Sequence, residues 1–262
     1  MSSWHACGLI TLTTDYGLQD PFVGVVKGSI LRRFAAARIV DLTHVVPAFQ
    51  PRLAGFWLAR SSEYFPDGSV HVAVVDPGVG TPRRILALHA HIEGAAHCWL
   101  APDNGLLAPV LARVSDATLY DCDIARFPTP SATFHGRDLF APLAAELASG
   151  ARAPAQMGPT VHPECLRAER ASRTRGSVIV IDHFGNLITD LDGPEEAEWS
   201  CLEVHAGARR FAFLRTYGDA ATGEYLALVN AFGVVEIARR EGNAALGLGL
   251  VPGCAVALSS KS

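Results

Sequence analysis

The feature that most narrows the fold of this chain is an alternation running up to Asp76. Apolar stretches that end on a carboxylate are separated by stretches of helical periodicity. Gly8 to Thr14 (GLITLTT) reads as a strand running into Asp15-Tyr16-Gly17, Ala37 to Asp41 as a second, and Ser69 to Asp76 as a third. After the first strand, Asp20-Pro21 supplies an N-cap followed by proline at the first helical position. Phe22, Val23, Val26, Ile30 and Leu31 then recur at helical spacing, and two arginines fall near the helix end. Pro51 to Arg60 reads as a second helix. The strands are apolar throughout, the pattern of strands buried on both faces. The order strand, helix, strand, helix, strand therefore predicts a mostly parallel central sheet flanked by helices.

Further along, Arg84 to Glu93 and His97 to Ala101 form a hairpin-like pair joined through Gly94, and Ala117 to Ile124 is one more strand. Asp138 to Ser149 reads as a helix with Leu139, Phe140, Leu143 and Leu147 on one face and Gly150 as its stop. From Ala151 to Gly176 periodicity fades, and Arg167, Arg170, Arg173 and Arg175 make a basic run that reads as a solvated linker face. Short β-like runs follow at 177–181, 186–190, 201–205, 210–214, 225–229, 234–239 and 255–259, with a brief turn or helix at 242–246. Punctuated by Gly, Asp and Asn, they suit a small antiparallel barrel or sandwich. The expected organisation is an N-terminal α/β domain over 1–168, a linker over 169–176 and an all-β, barrel-like C-terminal domain over 177–262.

Three strand ends deliver Asp15, Asp76 and Asp103 beside glycine-containing turns, a repetition that favours a site. In an open α/β sheet the residues just beyond the carboxyl ends of strands line the ligand crevice. The loop Asp76-Pro77-Gly78-Val79-Gly80-Thr81-Pro82-Arg83 can turn sharply and bring Arg83 back to Asp76; on spacing alone, a tight strand–loop–strand connection with a surface salt bridge is the favoured reading. His135, beside Gly136 at a helix start, is placed to approach a ligand, although Asp138 as a simple N-cap is the competing reading. Asp182-His183-Phe184-Gly185-Asn186 pairs a carboxylate, an aromatic face and an amide, or is a β-turn. His89 and His91 share a strand face with His97 nearby, but no cysteine or carboxylate at ligand spacing completes a zinc site. No P-loop, dinucleotide fingerprint or nucleophile elbow is present.

Composition excludes several classes. With 262 residues, 49% hydrophobic and a net charge of −4, the chain has ample core and no basic field for nucleic acid or an acidic membrane. No apolar run approaches the roughly 18 to 20 residues that span a bilayer. Cys7, Cys98, Cys122, Cys165, Cys201 and Cys254 show no C-x-x-C spacing. With no signal peptide evident, reduced thiols in a cytoplasmic protein are expected.

Taken in order, TTDYG (13–17), DPFVGVVKG (20–28), VDLTHVVPAF (40–49), VVDPGVGTPR (74–83), APDNGLL (101–107), TFHGRDLFAPLAA (133–145), IDHFGNLITD (181–190) and NAFGVVEIA (230–238) resemble one family. This is the S-adenosyl-L-methionine (SAM) hydroxide adenosyltransferases, or SAM hydrolases, relatives of the SAM-dependent fluorinase and chlorinase. The resemblance implies a homotrimer with active sites where one subunit's N-terminal domain meets a neighbour's C-terminal domain. It implies an Asp, Arg and His trio around the attacking water, here Asp76, Arg83 and His135. It assigns Asp15 to the ribose hydroxyls, Phe49 to the ribose or adenine region, Asp182 to the methionine ammonium, Phe184 to stacking on adenine and Asn186 to its edge. Asn230 and Ala231 occupy a segment that usually holds a serine; Ala231 has no hydroxyl, so a backbone contact must serve there.

The halogenases carry aromatics in place of this Asp and this His and an inserted loop after the Arg, so the chain sides with the hydrolases. SAM is then substrate rather than cofactor, no further cofactor or metal is expected, and adenosine and L-methionine are the products. A halide-using relative and a SAM or adenosine sensor without turnover remain the alternatives.

Overall fold

The computed structural model describes residues 4–162 and 172–261. Cys165, Arg167, Arg170 and the start of the expected linker lie outside the described residues. The chain divides into two compact units, Met1–Ala168 and Glu169–Ser262. Among the described residues the strands form two seven-stranded sheets, and no helix is long and apolar enough to cross a membrane.

The first unit runs β1 (Leu9–Thr14), α1 (Phe22–Arg33), β2 (Arg38–Thr43), α2 (Pro51–Ser61), β3 (Ser69–Val74), β4 (Ile85–Ile92), β5 (Ala95–Pro102), α3 (Ala108–Leu111), β6 (Ser115–Asp121), a π-helical turn (Gly136–Phe140), α4 (Ala141–Ala148) and β7 (Thr160–Val161). The sheet order is β2-β1-β3-β5-β4-β6-β7. Strands β2, β1, β3 and β5 are parallel, and β5, β4, β6 and β7 pair antiparallel. The sheet is thus mixed, because β4 and β5 are joined by a hairpin and not by a helical crossover. Ile92 faces Ala95, so the turn is only Glu93-Gly94. Both of its residues have positive φ, 48° and 82°, as a two-residue hairpin of this twist requires.

One sheet face carries the main core: Ile10, Leu12, Val70, Val72 and Val74 pack with Val26 and Ile30 of α1 and with Leu143, Ala144 and Leu147 of α4. Alternation sends Thr11 and His71 to the other face. There Thr11 Oγ1 hydrogen-bonds His71 Nδ1 at 2.8 Å, and His71 Nε2 meets His97 Nδ1 at 3.0 Å. Trp99 stacks on His71 and donates to Ser62 just beyond α2. His97, which the sequence groups with His89 and His91, is thereby a link in a buried polar chain. Among the described residues no three metal-binding side chains converge.

Two expected helix starts move. α1 begins at Phe22, with Pro21 at the cap and no side-chain cap bond, because the Pro21 carbonyl accepts from Val25 N; Asp20 stands outside the helix. Asp138 is not an N-cap either. The helix starts earlier with an i→i+5 bond, Ala141 N to Gly136 O, and Asp138 lies inside that wide turn. Its carboxylate accepts from Ser131 N at 2.8 Å and from the Arg137 guanidinium at 2.6 and 2.7 Å. Single π turns inside helices occur frequently at functional sites.

The second unit comprises β8 (Arg175–Ile181), β9 (Leu187–Asp192), β10 (Leu202–Ala206), β11 (Arg209–Ala212), β12 (Tyr225–Val229), β13 (Val234–Arg239), α5 (Ala244–Leu248) and β14 (Ala255–Ser260). β8 begins within the stretch expected as linker. The order β11-β10-β14-β8-β9-β13-β12 is antiparallel throughout. Its two edges approach at a Phe213–Ala227 bridge, with Leu214 N donating to Ala227 O at 2.9 Å, giving a nearly closed barrel. Val178, Leu187, Val204, Phe211, Val235 and Ile237 fill its interior.

Candidate active site

The order of the first sheet defines a place for a ligand before any side chain is considered. β1 connects to β2 on one side and β3 lies on the other, so the winding reverses between β1 and β3. Open α/β sheets bind ligands at such a switch point, outside the carboxyl ends of the strands. Thr14 pairs with Val74, so the residues that follow, Asp15 on one strand and Asp76 on the other, emerge side by side.

Asp76 and Arg83 close the loop between β3 and β4. Arg83 Nε lies 2.9 and 2.8 Å from the two Asp76 oxygens, and Arg83 Nη2 bonds Oδ2 closely. Both side chains are buried, Asp76 at 5% and Arg83 at 9% relative exposure. The same Nη2 reaches Nδ1 of the buried His135 at 2.9 Å. Guanidinium has no acceptor, so Nδ1 must accept, and the neutral ring carries its proton on Nε2. The order is Asp76, then Arg83, then His135, linked through one guanidinium. Arg83 Nη1 is buried with no hydrogen-bond partner among the described residues.

Burial, and then the adjacent Arg83 charge, hold the His135 imidazole below its ordinary value of 6.5. Asp15 goes the other way: burial, aided by Asp76, raises its carboxyl, against a hydrogen bond from Phe49 N at 3.3 Å. Phe49 itself is 71% exposed and holds φ at 64°, a left-handed conformation uncommon for an aromatic. Asp103, the third strand-end carboxylate, is not turned on the switch point; it pairs with Arg84 at 2.6 Å.

Sequence reasoning passed over Tyr16. Its ring makes edge contacts with Phe22 and Phe134, which touch one another at 5.5 Å between centroids. A Cβ at position 136 would stand 2.4 Å from the Tyr16 hydroxyl, so Gly136 is what lets that hydroxyl approach the backbone just after His135. Burial first, then the charges of Asp15 and Asp76, raise the Tyr16 phenol. The available signal was its place in TTDYG, one residue after Asp15.

In the second unit the turn after β8 carries Asp182, Phe184 and Asn186. Asp182 Oδ1 accepts from Phe184 N at 2.9 Å and Asn186 N at 2.8 Å, and Oδ2 from Asn186 Nδ2 at 3.0 Å. The carboxylate therefore braces the turn, as Asp side chains do at such corners. It leaves Asn186, buried at 6%, with its Oδ1 to offer. Phe184 is 74% exposed beside it. Gly185 has φ 88°, and a Cβ there would fall 2.1 Å from Asn243 Cγ, so only glycine fits between this turn and α5. A cavity of about 490 Å³ is lined by Phe184, Asn186, Tyr217, Arg239, Arg240 and Gly242.

Asn230 Nδ2 donates to Glu236 at 3.1 Å, and its Oδ1 accepts from Phe232 N at 3.0 Å. Ala231 is exposed at the tip of that turn. Glu236, 3% exposed, also accepts from the Tyr217 hydroxyl at 2.7 Å, and burial raises its carboxyl. Tyr217 and Glu236 were not expected from the sequence. Glu236 alternates with Val235 and Ile237, which fill the barrel interior, so it lies on the other face of its strand, and its partner is 19 residues away.

Comparison with known proteins agrees with this architecture. The N-terminal domain of the SAM hydroxide adenosyltransferases matches residues 10–158, and their C-terminal domain matches residues 176–257. The (R)-S-adenosyl-L-methionine hydrolase of Salinispora tropica is 41% identical over 257 residues, 93% of this chain and 95% of that protein. The enzyme of the same name from Thermus thermophilus is 37% identical, covering 94% and 97%. Among solved structures, an uncharacterized conserved protein from Thermotoga maritima superposes with a TM-score of 0.82 at 32% identity, covering 95% of this chain and 99% of that one. With both domains matched in order and identity above 30% along nearly its whole length, the chain belongs to the SAM hydroxide adenosyltransferase family.

Proposed function

We propose that this protein hydrolyses S-adenosyl-L-methionine to adenosine and L-methionine, with water attacking C5′ of the ribose and the sulfonium leaving as the neutral thioether. The observation that carries this reading is the linked Asp76–Arg83–His135 arrangement beside Asp15 at the switch point of the first sheet. A sulfonium is already a good leaving group, so the reaction needs an oriented nucleophile more than a strong acid. Water held in line about 3 to 3.5 Å from C5′ gains most from positioning. Approach of an oxygen carrying developing negative charge to a cation neutralises charge, and a water-poor pocket favours that change.

The tautomer divides the labour. His135 Nε2–H donates to the water oxygen and aims a lone pair at C5′. Asp76, whose oxygens keep lone pairs beyond those used by Arg83, accepts the water's hydrogen and takes its proton as the C–O bond forms. Arg83 holds both partners. In the same proposal Asp15 meets the ribose hydroxyls, with Phe49 against the ribose or adenine. Phe184 stacks on adenine, Asn186 Oδ1 accepts from its amino group, and Asp182, Asn230 and the backbone at Ala231 meet the methionine end. We further propose a cytoplasmic homotrimer in which neighbouring copies complete each other's sites. The exposure of Phe49 and Phe184, both above 70% in the single chain, supports it.

The test is incubation with each sulfonium epimer of SAM in halide-free buffer, with products separated by chromatography. Adenosine and methionine are expected in equal amounts, fastest with the (R) epimer that the relatives' name specifies. Bound but intact SAM would favour a sensor, and 5′-chloro-5′-deoxyadenosine on adding chloride would favour a halogenase.

The pH dependence has a definite sign. Protonating His135 would put N–H on Nδ1 against the Arg83 donor and break the link, so activity needs the neutral ring. Its lowered value moves the acid limb of kcat/KM below 6.5, with activity present above the limb and lost as pH falls through it. A profile measured from roughly pH 4 to 8 checks this; a limb at or above 6.5, or one unchanged in the residual activity of His135→Gln, would refute it.

A further inference from the structure

On the reading that Asp76, Arg83 and His135 form the hydrolytic site, we propose that Asn104 is a positioning residue that sets the geometry of this trio, with Asp103 bracing the same loop from its other end. The turn Pro102-Asp103-Asn104-Gly105 has no part in the chemistry proposed above. It nevertheless holds both feet of the loop that carries Asp76 and Arg83.

Within that loop the backbone is held by short-range bonds, Val79 N to Asp76 O at 3.2 Å and Thr81 N to Gly78 O at 3.1 Å, with Thr81 Oγ1 also donating to Gly78 O at 2.7 Å, and the Asp76–Arg83 pair joins its ends. Its crown, Pro77, Gly80, Thr81 and Pro82, is exposed. Arg83 holds the Asp76 carboxylate directly, and the positions of both residues depend in turn on the feet of the loop, Val75 and Arg84. Asn104 Nδ2 donates to the Val75 carbonyl at 2.9 Å. That carbonyl and the Asp76 nitrogen belong to one planar peptide unit, so the bond fixes the plane from which the Asp76 side chain departs. Asn104 is itself locked by Leu106 N donating to its Oδ1 at 3.3 Å, and Leu106 is fully buried. At the other foot, Arg84 Nε donates to Asp103 Oδ2 at 2.8 Å, and Asp103 N donates to Arg84 O at 3.1 Å. One four-residue turn thus grips the neighbours of both Asp76 and Arg83. Misplacement by about 1 Å far from the reacting atoms can cost of order a hundredfold in rate.

The decisive variant is Asn104→Ser, whose hydroxyl still accepts from Leu106 N but cannot reach Val75, and which adds no charge. The expected result is a fall in kcat of about tenfold or more with KM for SAM within about twofold. The NMR titration of His135 should also move up toward its ordinary value as Arg83 slackens. In an Asp76→Asn background the same substitution should change the residual turnover less than about twofold, since its effect runs through Asp76. Wild-type kcat in Asn104→Ser, an unmoved His135 titration, or an equal loss in both backgrounds would each overturn the proposal. If Asn104→Ser does not fold, Asp103→Asn reports on the other foot: a fall in kcat of about threefold at constant KM is expected, and wild-type kcat overturns the proposal. Should the wild-type protein prove not to hydrolyse SAM, the function proposed above fails, while the His135 titration still decides this one.

Discussion

Replacing Asp76 by alanine is expected to lower kcat for SAM hydrolysis by about a thousandfold, within the range of about 10² to 10⁴ that a positioned acid–base group supplies. Two losses coincide in this variant. The water loses its acceptor, and Arg83 loses the carboxylate that holds Nε and Nη2, so the donor to His135 Nδ1 is no longer aimed. Because both effects pass through one guanidinium, the three side chains should behave as a unit. Asp76→Ala with His135→Ala is then expected to cost little more than Asp76→Ala alone, the non-additivity seen when catalytic groups act together. KM should change little, since the groups proposed to grip the substrate, Asp15, Phe184 and Asn186, all remain in this variant. Steady-state kinetics of the two single variants and the double variant measure all three quantities. Multiplicative losses, or a rise in KM with kcat preserved, would show that Asp76 holds substrate and does not handle water.

The sequence showed most of the frame and the centre of the site, for identifiable reasons. Strands β1 and β3 are buried on both faces and run into a carboxylate, so their burial and their ends are both written locally. The loop from Asp76 to Arg83 is closed by glycine and proline, and its pairing is local in sequence. What escaped was set by distant partners. The hydroxyl of Tyr16 is placed by Gly136, on a segment some 120 residues later. Glu236 is placed by Tyr217 and Asn230 from two different turns. Asp138 has the spacing of an N-cap, but Ser131 engages it from the preceding loop and Arg137 from the same wide turn, which carries no periodic signature. Asp103 shared the pattern of Asp15 and Asp76. Only the sheet order shows that two of these ends flank the switch point while the third grips Arg84.

Arg83→Met should produce the largest loss of stability, about 3 to 5 kcal/mol, because it leaves the Asp76 carboxylate buried with no counter-ion. A unit of this size shifts by roughly 2 to 4 °C per kcal/mol, so its calorimetric transition should fall by about ten degrees. Exposed pairs of the protein offer the contrast. Arg215 and Glu196, 3.9 Å apart with both side chains more than 60% exposed, should yield about 1 kcal/mol or less on truncation of either partner. If desolvation of a lone charge is the cause, removing the charge as well should undo it. Asp76→Asn combined with Arg83→Met is then expected to recover most of the lost stability, since replacing both members of a buried pair by neutral groups is often close to neutral. Turnover should not return with it, because neither the water acceptor nor the donor to His135 is restored. Stability and activity would thus separate in one double variant. A double variant as unstable as Arg83→Met would instead mean that the guanidinium contributes chiefly through packing, on Phe140 whose ring centre lies 5.9 Å away, and not through its charge.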